Sequence, residues 1–171
     1  MDRNNIITFK GGPLTLVGPE LKVGDNAPDF TAVDAGLKPV KLSDFKGQTV
    51  IISSVPSLDT PTCEIQTKKF NEQAAGLNAK ILTVSLDLPF AQKRFCDANK
   101  IGNVTVLSDY KDHDFANKYG LMIKELGLIT RAVLVIGKNN KISYMEIVKE
   151  VTQEPNYKAA LEQVKSTVGV A

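Results

Sequence analysis

Apolar and polar positions alternate along some stretches of the chain and recur at spacings of three and four along others, and this change of period separates strands from helices. Ile7 and Phe9, the turn Lys10-Gly11-Gly12-Pro13, then Leu14 and Leu16 predict a β-hairpin over residues 6–17. A polar stretch with Gly24, Pro28 and Asp29 follows, and residues 41–46 carry a further turn. Val50-Ile51-Ile52-Ser53-Ser54-Val55, between Gly47 and Pro56, is the first core strand. From Pro61 the spacing of Cys63, Thr67, Phe70, Ala74 and Leu77 is that of an amphipathic helix, with Gly76 and Asn78 as stop residues. Residues 81–86 form the next strand. Asp87 then caps a helix through Phe90, Arg94 and Phe95, with Pro89 in the first turn, where a missing N–H is tolerated. A short strand over 104–107, a short helix over 115–119, a β-branched strand over 132–136 and its partner over 141–148 come next. The last helix carries Tyr157, Ala160, Leu161, Val164 and Val168 on one side.

Strands alternate with helices at first and finish as a strand pair and a closing helix. That order predicts an α/β fold in which a central mixed β-sheet is covered by helices on both faces. No repeat, linker or low-complexity stretch divides the sequence. Its 171 residues, 43% of them hydrophobic, suit one domain over 1–171, with residues 1–18 as a hairpin extension and a last five residues that fray.

Charge and composition narrow the function. The formal charge is +2, from 21 basic and 19 acidic side chains of mixed sign, without a cationic block or an aromatic platform, so nucleic acid is not the expected partner. No apolar run approaches the roughly 18 residues of a membrane span. The start, Met1-Asp2-Arg3-Asn4-Asn5, is unlike a secretory signal, and the expected location is the cytoplasm. Two cysteines, Cys63 and Cys96, cannot form the framework of a disulfide-stapled domain; they are buried cargo, part of a metal site or a reactive pair.

Cys63 has the placement of a functional thiol. It follows a core strand through Pro56-Ser57-Leu58-Asp59-Thr60-Pro61-Thr62, at the carboxyl end of the sheet, where α/β folds build their sites. Pro61 fits the first helical position, Thr60 becomes the N-cap and Cys63 falls in the first turn. The cap hydroxyl can engage first-turn N–H groups or, with the turn arranged differently, the sulfur itself. Unpaired N–H groups and the positive end of the helix dipole favour a thiolate there. Cys63 also lies on the apolar helix face, so a packed, inert thiol fits the same pattern.

The motif resolves the choice by resemblance. Pro56, Thr60 and Cys63 stand in the pattern P-x-x-x-T-x-x-C, which resembles the peroxiredoxin active-site motif, and Asp59-Thr60-Pro61-Thr62-Cys63 closely resembles the bacterial thiol peroxidase subfamily. Asp87-Leu88-Pro89-Phe90-Ala91 through Arg94-Phe95-Cys96 is similar to that subfamily's second signature, and Gly11-Gly12-Pro13-Leu14-Thr15-Leu16 to its N-terminal extension. The resemblance implies a thioredoxin-like fold and reduction of hydrogen peroxide or organic hydroperoxides. It makes Cys63 the peroxidatic sulfur, with Thr60 bonded to sulfur and peroxide and Pro56 shielding the pocket. Arg131, in Thr130-Arg131-Ala132-Val133, matches the family's arginine, and Cys96 becomes the resolving cysteine that forms an intramolecular disulfide with Cys63. Thioredoxin, rather than a bound cofactor, is the implied source of electrons, and a homodimer the implied assembly.

Other readings need residues that the sequence lacks or shares. A cysteine hydrolase needs a base, and the single histidine, His113, sits between Asp112 and Asp114 in a polar, surface-like segment. A zinc site needs four ligands at short spacings; carboxylates could complete the one histidine and two distant cysteines, but no motif supports such a set. A thioredoxin-like redox sensor or chaperone with slow peroxidase turnover uses the same residues and differs only in turnover and clients. Lys68, Lys69 and Lys93 read as solvated helix faces, and Phe70, Phe90 and Phe95 as packing residues, with an apolar entrance for organic peroxides as the alternative role of Phe90 and Phe95.

Overall fold

The computed structural model describes residues 1–74 and 76–169. The side chains of Ala74 and Val168 lie outside the described residues, as do Val170 and Ala171 of the segment expected to fray. In chain order the elements are β1 (Asp2–Phe9), β2 (Gly12–Val17), β3 (Thr31–Val33), β4 (Pro39–Lys41), a 3-10 turn at Leu42–Phe45, β5 (Val50–Ser54), α1 (Pro61–Ala74) and β6 (Lys80–Ser85). There follow α2 (Pro89–Asn99), β7 (Thr105–Ser108), α3 (Asp114–Lys118), β8 (Met122–Ile123), β9 (Leu128–Ile129), β10 (Ala132–Ile136), β11 (Ile142–Ile147) and α4 (Tyr157–Gly169).

Seven strands form the central sheet in the order β11-β10-β5-β6-β7-β3-β4. β5, β6 and β7 run parallel, as the βαβ crossovers through α1 and α2 require, while β10 and β11 close one edge antiparallel. This is the expected mixed sheet of a thioredoxin-like α/β fold. The sheet core is buried on both faces, which explains why β5, β6 and β10 read as near-continuous apolar runs. Val50, Ile52, Leu82, Val84 and Leu134 face one cluster, filled by Phe30, Phe115 and Tyr119. Ile51, Ile81, Val133 and Val135 face the other, filled by Phe70 of α1, Phe95 of α2, and Ala160 and Val164 of α4.

The hairpin is longer than the alternation predicts, because β1 begins at Asp2 within the polar start. It is also not free-standing. β2 pairs with β8, and β8 with β9, so a second four-stranded sheet forms around Ile7, Leu16 and Ile123. Strands of two or three residues, β3, β4, β8 and β9, are too short to show a period. Gly120 fixes how the hairpin docks: it has φ +64°, and a Cβ there would collide with the Pro19 carbonyl and the Arg3 side chain.

Asp109, just past β7, is 2% exposed and accepts the amides of Phe115 (3.1 Å) and Ala116 (2.9 Å), which fastens α3. Burial pushes its carboxyl up to about 6 against the pull of those amides and of His113. The folded chain therefore holds this proton more tightly than the unfolded chain, and the group adds stability as pH falls from about 6 toward 4. In urea unfolding, wild type should gain on the order of 2 kcal/mol relative to Asp109→Asn between pH 7 and pH 4.5. A difference that stays flat with pH would refute this.

Candidate active site

The sheet topology brings two distant segments to one point. β5 delivers the loop 55–60 and then α1, so Cys63 stands in the first turn at the carboxyl end of a central strand. β10 runs antiparallel to β5 with Ala132 opposite Ser54, so the residue before β10, Arg131, arrives at that same end. Its Nη2 donates to the Cys63 sulfur at 3.3 Å. Cys63 is fully buried and Arg131 is 2% exposed.

Arg131 uses its whole fork. Nη1 donates to Gln66 Oε1 at 2.9 Å and Nε to the Val151 carbonyl at 2.8 Å. Among the described residues, then, its hydrogen bonds go to neutral oxygens and to sulfur, and no carboxylate forms an ion pair with it. The fork thus presents one N–H of a buried cation directly to the sulfur, at 3.3 Å.

Gln66 is a site residue that the sequence reading did not single out. It lies one turn after Cys63 on the buried face of α1, fully shielded, and its Nε2 donates to Ser53 Oγ at 2.6 Å while Oε1 takes the guanidinium. The signal was available: a glutamine three positions after the cysteine, on the apolar side of the predicted helix, must be buried and hydrogen-bonded.

Thr60 is the N-cap as expected, since its carbonyl accepts the Glu64 amide at 3.0 Å. Its hydroxyl, however, bonds neither the sulfur nor a first-turn amide; it donates to the Ser57 carbonyl at 3.0 Å and tightens the loop. Pro56 is buried at the start of that loop. Asp87 departs from expectation too. α2 is preceded by Leu88 and has no side-chain cap. The Asp87 carboxylate instead accepts Ser57 Oγ (2.7 Å), the Leu58 amide (2.7 Å) and Ser85 Oγ (2.7 Å). It is held away from the helix because the loop before Cys63 offers it stronger, paired donors.

Cys96 sits half-buried on α2 and packs against the same core cluster as Cys63, but both are free thiols. Burial pushes the Cys96 thiol up, and Asp97 adds to this against a weaker pull from Lys93. Two clefts border α2, and Cys63 lines neither of them. A cleft of about 440 Å³ lies between the Cys63 loop and α2, lined by Leu58, Asp87, Arg94 and Phe95 among others. Cys96 lines a different groove with Ala35, Lys93 and Val104. Phe90, expected to pack, is 66% exposed, because Pro89 starts α2 with that position turned outward. Lys68, Lys69 and Lys93 form surface ion pairs with Glu64, Glu154 and Asp97. His113 stands in the left-handed region (φ +52°) at the N-cap of α3, on a different element from Cys63. Among the described residues, no group of three or more His, Cys, Asp or Glu side chains could hold a metal ion, and no helix is long and apolar enough to cross a membrane.

Known proteins resemble this chain in sequence and fold. The Redoxin family model matches residues 22–161. A thiol peroxidase of Oceanobacillus iheyensis is 52% identical over 159 residues, covering 92% of this chain and 97% of its own. A thiol peroxidase of Bacillus subtilis is 51% identical over 163 residues, with 95% and 98% covered. Among solved structures, a peroxiredoxin-like protein from Aquifex aeolicus superposes with a TM-score of 0.91 at 47% identity, covering 96% of this chain and 97% of that one.

Proposed function

Because the chain belongs to the Redoxin family and, within it, to the bacterial thiol peroxidases, we propose that Cys63 reduces hydrogen peroxide and organic hydroperoxides in a cycle closed by Cys96 and thioredoxin. The observation that carries the assignment of residues is the bond from Arg131 Nη2 to the Cys63 sulfur, inside a site where, among the described residues, no carboxylate forms an ion pair with the guanidinium.

The steps follow from the groups in place. The Cys63 thiolate attacks the terminal peroxide oxygen; the S–O bond forms as the O–O bond breaks, and the departing oxygen takes a proton and leaves as water or alcohol. Arg131 favours the thiolate and donates to the oxygens as charge moves onto the leaving one. Gln66 holds the fork in its plane. Thr60, one turn of chain before the sulfur, rotates its hydroxyl from the Ser57 carbonyl to the peroxide, and Pro56 keeps water from the buried pocket. The product is a Cys63 sulfenic acid. Cys96, as thiolate, attacks that sulfur; the S–S bond forms and the hydroxyl leaves as water. Thioredoxin returns two electrons by thiol–disulfide exchange. On this reading residues 1–171 act as one domain with the hairpin over 1–18 as an extension, working as a homodimer in the cytoplasm without cofactor or metal.

The test is stopped-flow mixing of the reduced protein with one equivalent of hydrogen peroxide, followed by dimedone trapping and mass spectrometry. Oxidation within milliseconds, with early label on Cys63 and a later Cys63–Cys96 disulfide, is the expected course. Steady peroxide consumption with thioredoxin separates an enzyme from a slow redox sensor or chaperone. Early label on Cys96, or no fast phase, would sink the assignment.

A further inference from the structure

Arg131 is held from behind as well as from the site. The carbonyl that takes its Nε belongs to Val151, which lies outside every helix and strand yet is 2% exposed. Glu150 fastens the chain on both sides of that carbonyl. Its Oε2 accepts the amide and hydroxyl of Thr152 (2.9 and 2.6 Å), and its Oε1 accepts the Gly11 amide and the Thr8 hydroxyl of the hairpin (2.9 Å each). The backbones join as well: Thr8 N donates to the Lys149 carbonyl at 2.7 Å and Val151 N to the Thr8 carbonyl at 2.8 Å. The Val151 side chain packs with Ile7, Leu16 and Ile123 of the second sheet. On its other side the segment reaches the active-site helix, where Thr62 Oγ1 donates to the Thr152 carbonyl at 3.0 Å.

The carboxylate bonds are charge-assisted and stronger than neutral ones. The Thr152 hydroxyl and amide, with the Gly11 amide and the Thr8 hydroxyl, hold the Glu150 carboxyl down at about 2. The clamp therefore stays ionised at neutral pH. A guanidinium is planar, so acceptors at Nε and Nη1 together fix where Nη2 points. With the Val151 carbonyl displaced, Gln66 alone leaves the fork free to swing about one bond.

Resting on the preceding reading of Cys63 and Arg131, we propose that the N-terminal hairpin is a positioning device for the active site: through Glu150 it fixes the Val151 carbonyl, and that carbonyl aims Arg131 at the Cys63 sulfur. Thr8, Gly11 and Glu150 touch neither peroxide nor sulfur, and they act through Arg131.

The test uses a Cys96→Ser background, where Cys63 is the single thiol. Glu150→Gln keeps the size of the side chain but turns one acceptor oxygen into an NH₂ that cannot accept. Iodoacetamide alkylation of Cys63 at pH 7 should slow roughly threefold to tenfold, with the pH profile displaced to higher pH and oxidation by peroxide slowed alike. Thr8→Val removes one hairpin donor and leaves Glu150 in place; it should move the profile the same way by less, and it carries the test should Glu150→Gln fail to fold. Glu154 and Tyr157, which feel the charge of Arg131, and Lys69, which pairs with Glu154, are unchanged in both variants, so the displacement reports on Arg131. An unmoved pH profile in the folded variants, with or without a loss of rate, overturns the proposal. Slow peroxide oxidation in the Cys96→Ser parent would overturn the underlying reading instead.

Discussion

Replacing Arg131 with methionine should slow oxidation of Cys63 by hydrogen peroxide on the order of a hundredfold, because one charged hydrogen bond is worth about 1.5–3 kcal/mol and in the proposed mechanism this fork acts on both sulfur and peroxide. Methionine fills comparable space but leaves the sulfur without a cation and the Gln66 and Val151 oxygens without their donor. Arg131→Lys keeps a charge yet loses the fixed plane, so it should recover only part of the rate. The two variants separate charge from geometry. If charge alone mattered, lysine would approach wild type; if the fork matters, it stays well below. Stopped-flow rates at pH 7, with near-ultraviolet circular dichroism to confirm native packing, decide the matter. An Arg131→Met rate within threefold of wild type would remove the guanidinium from the mechanism.

Most of the sheet was legible because its strands are buried on both faces and their apolar runs leave no other reading. The helices were legible where the period of three to four is long enough, as over α1. The second sheet was not, since β8 and β9 gain their pairing from the hairpin rather than from any pattern of their own. The site divides in the same way. Cys63 and its N-cap were placed by local rules of helix starts. Arg131 was placed by resemblance, and only the antiparallel pairing of β10 with β5 gives it a physical reason to be there. Asp87 was misread because a carboxylate before a helix satisfies the cap rule locally, whereas Ser57 and Leu58, far off in sequence, claim it in the folded chain. Glu150 shows only half of its role locally: Thr152, two positions on, supplies two of its four donors, whereas Thr8 and Gly11 of the hairpin reach it only through the tertiary structure.

Cys96→Ser should be oxidised once, as fast as wild type, and then fail to turn over with thioredoxin. Its Cys63 sulfenic acid has no internal thiol to meet, so it persists and a second equivalent of peroxide carries it to sulfinic acid. In wild type the same intermediate must be reached by the Cys96 sulfur, which lines a groove that Cys63 does not touch. A disulfide needs Cα atoms within about 7 Å, while Cys63 is sealed in the core and Cys96 is packed on α2, so the first turn of α1, α2 or both must loosen. Asp87 makes this a joint motion, because it binds Ser57 and Leu58 from the start of the segment that carries Cys96. In the chain-entropy picture the bridge constrains the unfolded chain by about 4 kcal/mol, and the loss of those bonds consumes much of that gain in the stability of the oxidised form. Hydrogen exchange should therefore rise over residues 57–64 and 89–99 in the disulfide form, and equal protection in reduced and oxidised protein would refute the motion. Because burial holds Cys96 as a protonated thiol, disulfide formation in wild type should speed up as pH rises, by up to about tenfold per unit until that thiol ionises. The initial oxidation, which uses Cys63 alone, should not follow that dependence.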